Sequence, residues 1–524
     1  MQKIQRPRKE LQKALPDTKG NKNTNRPRFT KKSKPLRFIC TNQFRKTQKM
    51  NEKQASLHEE KPSMELKERM LQFGTGILLK GLPDYLIQLA NEKRGWGKIV
   101  MVKSTSPEKG KEKFPPYYLV EKGIQNGQAV ERAIKMEVIS REINAQTQWD
   151  TLQKLAKSAD LEVIISNTTE AGLQYKQEKI NETEVPESFP AKLLALLQTR
   201  FKADLPGWII IPCELIPENG KVLFEIIKKL AQFNEMSPAF VQWLEKENHF
   251  CSSLVDRIVS GKANQQSHDA WEAKLGHKIP ELIETEPYCL WAIECSDEVM
   301  SKLNWEGIHP NLILDADISM YKERKLRILN GTHTFMVGLA FLAGHDTVLE
   351  AMQDPEIGNF VRELALNEIA PATDIDPEKA QEFARDVLDR FSNPHIRHLL
   401  LNITLQYSMK MAMRNLKSIE RYESQFGNPP EKMARGFAAY LQFVNPREEM
   451  EGQFFGIWRG KKYLIQDNEA SLIRTIMQAH PEKNQALDSI FQSASLWGEF
   501  RFSEGFKEKV KGYYYLLEEY NRRP

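Results

Sequence analysis

Long apolar runs are missing from this sequence. No stretch approaches the about 18 consecutive apolar residues that a spanning helix requires, which excludes a chain built around transmembrane helices. Cysteine is scarce: Cys40, Cys213, Cys251, Cys289 and Cys295 are the only five, and they are widely spaced. No CxxC pair occurs and no Cys/His cluster has zinc-ligand spacing. Free thiols in a reducing cytoplasm are therefore expected, with no metal site. A basic n-region followed by an apolar core is also missing, so secretion is not expected.

Acidic residues are almost missing from the first 50 positions. Glu10 and Asp17 stand there against 16 Lys and Arg. Taking these from the chain's 75 basic and 70 acidic residues leaves 59 and 68, so the formal +5 is a basic tail on a body of net −9. Residues 1–64 scatter their few apolar side chains among Lys, Asn, Gln and Thr, and such a segment is expected to be a disordered tail. A solvated charge block is the plain reading, and a nucleic-acid arm is the less favoured alternative.

With 524 residues the chain has length for several domains. From residue 65 short β-rich runs alternate with helical patterns, as parallel sheets with crossover helices require. The runs are RMLQF at 69–73, KIVMV at 98–102, EVIIS at 162–166 and WIIIP at 208–212, followed by SLVDRIVSG at 253–261 and an apolar run at 288–293. Pro83 predicts an early kink or late start in the first helix. Beyond about residue 320 strand signals are sparse. Asp376-Pro377 offers an N-cap and an N1 proline to a helix whose apolar face holds Phe383, Val387, Leu388 and Phe391. Residues 398–418 and 430–444 are also expected to be helical. The expected architecture is a Rossmann-like α/β domain over 65–320 and a mostly helical domain over 321–524.

Gly74-Thr75-Gly76 stands where the first strand turns into a helix. There glycine permits a tight turn and lets backbone amides approach a pyrophosphate. Two parts of the full pattern are missing: Leu79 occupies the third glycine position, and Lys103-Ser104-Thr105 follows the second strand where a ribose-binding acid is expected. On the motif alone an ordinary βα turn stays open, and the missing acid leaves NADP open beside NAD.

Lys325, Asn330 and His333 form the main chemical constellation, in KLRILNGTH at 325–333. On an α-helix Asn330 lies about 140° around from Lys325, with His333 at about 80° between them. One pocket can then receive a general base, an amide donor and an orienting imidazole. Spacing alone favours the plainer reading of an exposed lysine, a capping asparagine and a satisfied histidine.

KLRILNGTH resembles the K-x4-N-x2-H signature of the polyol-specific long-chain dehydrogenases, the mannitol dehydrogenase family. Four further segments resemble that family in the same order. LQFGTG at 71–76 is similar to its modified fingerprint, with Lys80 where arginine is usual. SNTTEAG at 166–172 is similar to the loop near the nicotinamide, PCELIPENG at 212–220 to the CDN…NG segment, and SLVDRIVSG to the VDRIT segment. The likeness covers roughly residues 66–470. PCEL, VDRIVSG and NPHIRH at 393–398 resemble the tagaturonate reductase (altronate oxidoreductase) branch most closely.

The resemblance implies a zinc-independent NAD-dependent oxidoreductase of hexuronate catabolism, with a mannitol- or fructuronate-type dehydrogenase as the alternative. Lys325 would be the general acid/base. Asn219 and Asn330 would hold the developing oxyanion, His333 would orient the substrate and Asp256 would support the pocket. Gly74, Gly76, Asn167 and Thr168 would contact the cofactor. A substrate carboxylate should meet a cation, for which Arg397, Lys410 and Arg414 are the candidates, though each also reads as an ordinary surface charge.

Overall fold

Glu68–Phe73 opens the fold as β1, and its side chains alternate between two interiors. Met70 joins one buried cluster, while Leu71 and Phe73 join another. The alternation repeats along β2 (Lys98–Lys103), where Ile99 and Met101 enter the first cluster and Val100 and Val102 the second. Strands buried on both faces read as continuous apolar runs, which is why KIVMV and WIIIP stand out in the sequence. β3 (Ile139–Asn144), β4 (Val163–Ser166), β5 (Ile209–Pro212) and β6 (His249–Phe250) complete the sheet. Every pairing in it is parallel, in the spatial order β3-β2-β1-β4-β5-β6. This is the doubly wound order of dinucleotide-binding folds. The strand order reverses between β1 and β4, and ligands of such sheets bind beyond the carboxyl ends at that point.

The structure, a computed structural model, describes residues 66–104, 108–169, 171–181 and 184–522. The expected disordered tail and Cys40 lie outside the described residues. The other four cysteines are buried free thiols, and among the described residues no helix is long and apolar enough to cross a membrane. Leu66–Pro524 form one compact unit. The boundary expected at residue 320 lies within the helix Ser319–Arg324, which follows the strand Leu312–Asp315.

Beyond that point the protein is mostly helical around its own core, in which Ile328, Phe335, Phe383, Tyr407 and Phe437 are buried. The helix Pro377–Phe391 starts as its sequence signal predicts: the Asp376 carboxylate accepts from the Lys379 amide at 3.1 Å. The expected helix over 398–418 is broken. Leu400–Ile403 and Tyr407–Phe426 are separate helices, with Gln406 at φ 52° between them. Pro83 acts as expected, ending Ile77–Gly81 and starting Pro83–Arg94.

Two antiparallel elements depart from the expected layout. Tyr117–Gln125 and Gln128–Met136 form a hairpin whose turn residues, Asn126 and Gly127, have φ of 53° and 71°. Asn-Gly between strands is a strong hairpin signal because both turn positions need positive φ. The hairpin joins Leu282–Thr285 and Val259–Lys262 in a second sheet. In the helical region, Glu448–Met450, Gln453–Trp458 and Lys461–Ile465 form a three-stranded meander, so strand signals are weak there but strands are present.

Asp84, fully buried on the helix Pro83–Arg94, is a point of pH sensitivity. Burial pushes its carboxyl up to about 8 from 3.8, against the opposing pull of Lys80 and of the Tyr117 hydroxyl, which donates to it at 3.4 Å. A folded-state value above the unfolded one means that stability falls as pH rises from about 4 to about 8, by up to about 1.4 kcal/mol per pH unit. Asp84→Asn should flatten that slope. Thermal unfolding midpoints measured across this range test it, and an unchanged slope would remove Asp84 as its source.

Candidate active site

The crevice at the strand-order reversal is built from glycine and two polar loops. Gly74 has φ +129°, and a Cβ there would lie 2.9 Å from the Asn167 carbonyl oxygen, so the β1 turn requires glycine. Gly76 differs: a Cβ there would meet nothing within 4 Å, and no side chain caps the helix Ile77–Gly81 that it starts. Open space over uncapped amides fits a bound pyrophosphate. The Asn167 amide Nδ2 donates to the Cys213 carbonyl at 2.7 Å, and the Thr168 N–H and hydroxyl both donate to Glu214 Oε1, at 2.8 and 3.0 Å. Burial raises the Glu214 carboxyl even against these bonds. At the end of β2, Lys103 pairs with Glu108 at 3.1 Å. Lys80 is buried and pairs with Glu281 at 2.7 Å, next to the second sheet.

A ladder of hydrogen bonds leads from this crevice to the helical region. Asn219 Nδ2 lies 3.0, 3.0 and 3.1 Å from the carbonyls of Pro212, Glu214 and Ser253, and its Oδ1 accepts from the amides of Gly220 and Ser253. Its carboxamide is thus already committed to backbone, where the sequence suggested a donor for an oxyanion. It ties the β5 loop to the strand Ser253–Asp256. At the end of that strand the Lys325 ammonium donates to the Val255 carbonyl at 2.8 Å and stands 3.9 Å from Asp256 Oδ1, with 20% of its side chain exposed.

Lys325–Gly331 is a π-helical turn, which corrects the α-helical spacing expected from sequence. Hydrogen bonding from i to i+5 closes a wider turn than the α-helical one, so the about 140° separation of Lys325 and Asn330 on an α-helix does not apply. Two contacts hold the turn against the helix Tyr407–Phe426. Arg327 donates to the carbonyls of Met413 and Arg414, at 2.8 Å each. A Cβ on Gly331 would come within 2.9 Å of Asn415 Oδ1, so a larger residue there would have to displace the Asn415 side chain. Among the described residues the Asn330 carboxamide has no hydrogen-bond partner, whereas its backbone carbonyl accepts from the Thr334 hydroxyl at 2.7 Å.

His333 follows on the same segment and is only 8% exposed, stacked on Phe391 at 3.9 Å between ring centroids and edge-on to His398 at 5.0 Å. Its Nε2 is buried without a partner. Burial, with His398, Arg390, Arg414 and Lys410 nearby, holds it well below the ordinary histidine range, so it is neutral at neutral pH. Lys410 donates to the Ile403 carbonyl at 2.9 Å and Arg414 to the Thr334 hydroxyl at 3.2 Å. Arg397 is exposed and takes no part in this group.

Arg390, on the helix Pro377–Phe391, is a buried residue that sequence reasoning missed. It grips both oxygens of Asp256 at 3.0 Å and both oxygens of Glu286 at 3.0 and 2.9 Å. Burial raises the Asp256 carboxyl, but Arg390 and then Lys325 outweigh it and leave the group below its ordinary value. Asp256 is therefore an anion held by Arg390, 3.9 Å from the Lys325 ammonium. Among the described residues, His268, Asp269 and Glu272 also bring potential metal-ligand atoms within 4.8 Å of one another, but Glu272 is already paired with Lys278 at 2.6 Å.

Comparison with known proteins agrees with this layout. The mannitol dehydrogenase Rossmann domain matches residues 68–307, and the mannitol dehydrogenase C-terminal domain matches 317–517. Altronate oxidoreductase of Halalkalibacterium halodurans is 35% identical over 454 residues, 83% of this chain and 88% of that protein. The Bacillus subtilis protein of the same name is 37% identical over 394 residues, covering 73% and 81%. A D-sorbitol dehydrogenase solved in substrate-free form matches with a TM-score of 0.69 at 18% identity, over 87% of this chain and 94% of that one. Pseudomonas fluorescens mannitol 2-dehydrogenase, solved with NAD and D-mannitol, matches with a TM-score of 0.58 at 19% identity, over 88% and 95%. At these identities the two structures establish likeness of fold.

Proposed function

We propose that this chain, which belongs to the mannitol dehydrogenase family and is an oxidoreductase of secondary alcohols, reduces D-tagaturonate to D-altronate with NADH and catalyses the reverse oxidation. The observation that supports this reading is the placing of Lys325 and Asn330 on one π-helical turn, with the buried, unpartnered His333 following on the same segment and the Lys325 ammonium anchored to the Val255 carbonyl. The name shared by the curated relatives supports the sugar acid. The open cradle at Gly76 supports the dinucleotide, and the Rossmann-like part of the chain would hold it. The buried free thiols support a cytoplasmic setting.

In reduction, a nicotinamide bound in the crevice would supply the hydride to the ketone carbon. The Lys325 ammonium gives its proton to the oxygen as charge develops there, and Asn330 Nδ2 donates to the same oxygen. Oxidation reverses the transfer, with neutral Lys325 taking the hydroxyl proton. His333 orients a neighbouring hydroxyl through its free ring nitrogen. Asn219 acts indirectly, holding the strand that receives Lys325.

The test is NADH oxidation by the purified full chain with D-tagaturonate, D-fructuronate and D-fructose, repeated with NADPH. Turnover of tagaturonate at the highest kcat/KM, with NADH preferred, is the expected result. Turnover of fructose alone would overturn the uronate assignment.

A further inference from the structure

Two cations of the helical region show how differently this protein treats charge. Arg390 is buried and is balanced by Asp256 and Glu286. Arg414 is half-buried, yet among the described residues no carboxylate pairs with it. Its single protein acceptor is the neutral Thr334 hydroxyl at 3.2 Å, which leaves most of a guanidinium's five donors unused. Burial alone acts on it, pulling it down to about 10 from 12.5. Lys410, one turn earlier on the same helix face, is in the same position. Its ammonium donates to the Ile403 carbonyl, and the nearby Asp467 carboxylate is occupied by the amides of Ser408 and Glu469, at 2.7 and 3.0 Å. His333 adds a buried, unpartnered Nε2 to the same surroundings.

Partly desolvated like charges one helical turn apart repel, and among the described residues no carboxylate pairs with Arg414 and only Asp467, already bonded to two amides, acts on Lys410. They are nevertheless held firmly. Thr334, which accepts from Arg414, donates in turn to the Asn330 carbonyl, and Arg327 fastens the Arg414 backbone to the π-helical turn. Arg414 is therefore indexed to Asn330 through one intervening side chain. Resting on the proposed reduction of a sugar acid, we propose that Arg414, assisted by Lys410, binds the substrate carboxylate, and that it is the residue by which the site prefers an acid to a neutral polyol. The planar guanidinium fork suits a two-point grip on a carboxylate. The ligand class is a keto or hydroxy hexose derivative oxidised to an acid at the carbon remote from the reacting ketone.

The test compares full-chain wild type, Arg414→Gln and Arg414→Lys at saturating NADH, with KM and kcat measured for D-tagaturonate and for a neutral ketose, and with NADH binding followed by fluorescence. Arg414→Gln should raise the tagaturonate KM about 100-fold, mainly in KM and not kcat, and the ratio of acid to neutral KM should shift by a similar factor. Arg414→Lys, which keeps charge but loses the fork, should raise it about tenfold. A parallel loss of kcat, of NADH binding and of affinity for both substrates would mark a structural role and overturn the assignment. So would a tagaturonate KM within about threefold of wild type in a folded Arg414→Gln protein, or in Arg414→Lys if the first variant does not fold. Wild type that reduces only neutral ketoses defeats the uronate reading itself; wild type that reduces tagaturonate while both variants match it defeats only Arg414.

Discussion

Replacing Lys325 with alanine should lower kcat about a thousandfold while leaving NADH affinity within about threefold of wild type. General acid–base catalysis by a positioned side chain contributes typically about 10²–10⁴ in rate, and the proposed mechanism routes the proton through Lys325. Its ammonium is held in place by the Val255 carbonyl at 2.8 Å and faces Asp256 at 3.9 Å, so one donor is anchored and others remain for substrate. The proposed dinucleotide cradle at Gly74 and Gly76 belongs to a different part of the fold, the turn after β1, which is why cofactor affinity should survive. Steady-state kcat and a fluorescence titration of NADH separate the two effects. Near-normal kcat would remove Lys325 from the proton transfer, and a matching loss of NADH binding would point to a damaged fold.

The parts of the fold that were legible in the sequence are those set by local pattern. Strands buried on both faces leave apolar runs such as KIVMV, and a helix that needs a cap leaves Asp376 before Pro377. The Asn126-Gly127 hairpin, which lay outside the expected layout, carries a signal of the same local kind, two positive-φ turn residues between strands. The π-helical turn at Lys325–Gly331 was not legible. Nothing in the spacing of KLRILNG distinguishes i+4 from i+5 hydrogen bonding; that choice is made by Arg327 and Gly331 packing on a helix some 80 residues further on. Arg390 was hidden for the same reason, because its partners Asp256 and Glu286 lie 134 and 104 residues away. Arg397 and Arg414 read alike as basic residues near one segment, and only the tertiary structure exposes one and draws the other inward. Long-range charge pairing leaves no periodicity to read.

Arg390→Met should destabilise the protein by about 3–5 kcal/mol, because it removes the cation from two buried carboxylates at once. The pH dependence of that loss identifies its cause. In wild type, Asp256 sits below its ordinary value, so its contribution to stability is present above the unfolded carboxylate range and is lost as pH falls through the folded value. Without Arg390, burial acts unopposed by the guanidinium on Asp256 and further raises Glu286, which burial already holds high. Groups raised in the folded state favour folding at low pH and lose that contribution as pH rises. The variant should therefore lie furthest below wild type at neutral and alkaline pH, and the gap should narrow toward pH 4. Denaturant unfolding at several pH values measures it, and a gap independent of pH would attribute the loss to the contact of the Arg390 guanidinium with the Tyr288 ring, 4.4 Å to its centroid. Adding Asp256→Asn and Glu286→Gln to Arg390→Met should recover part of the stability at pH 8. It should not recover kcat, since Lys325 would then face a neutral amide where it now faces an anion 3.9 Å away.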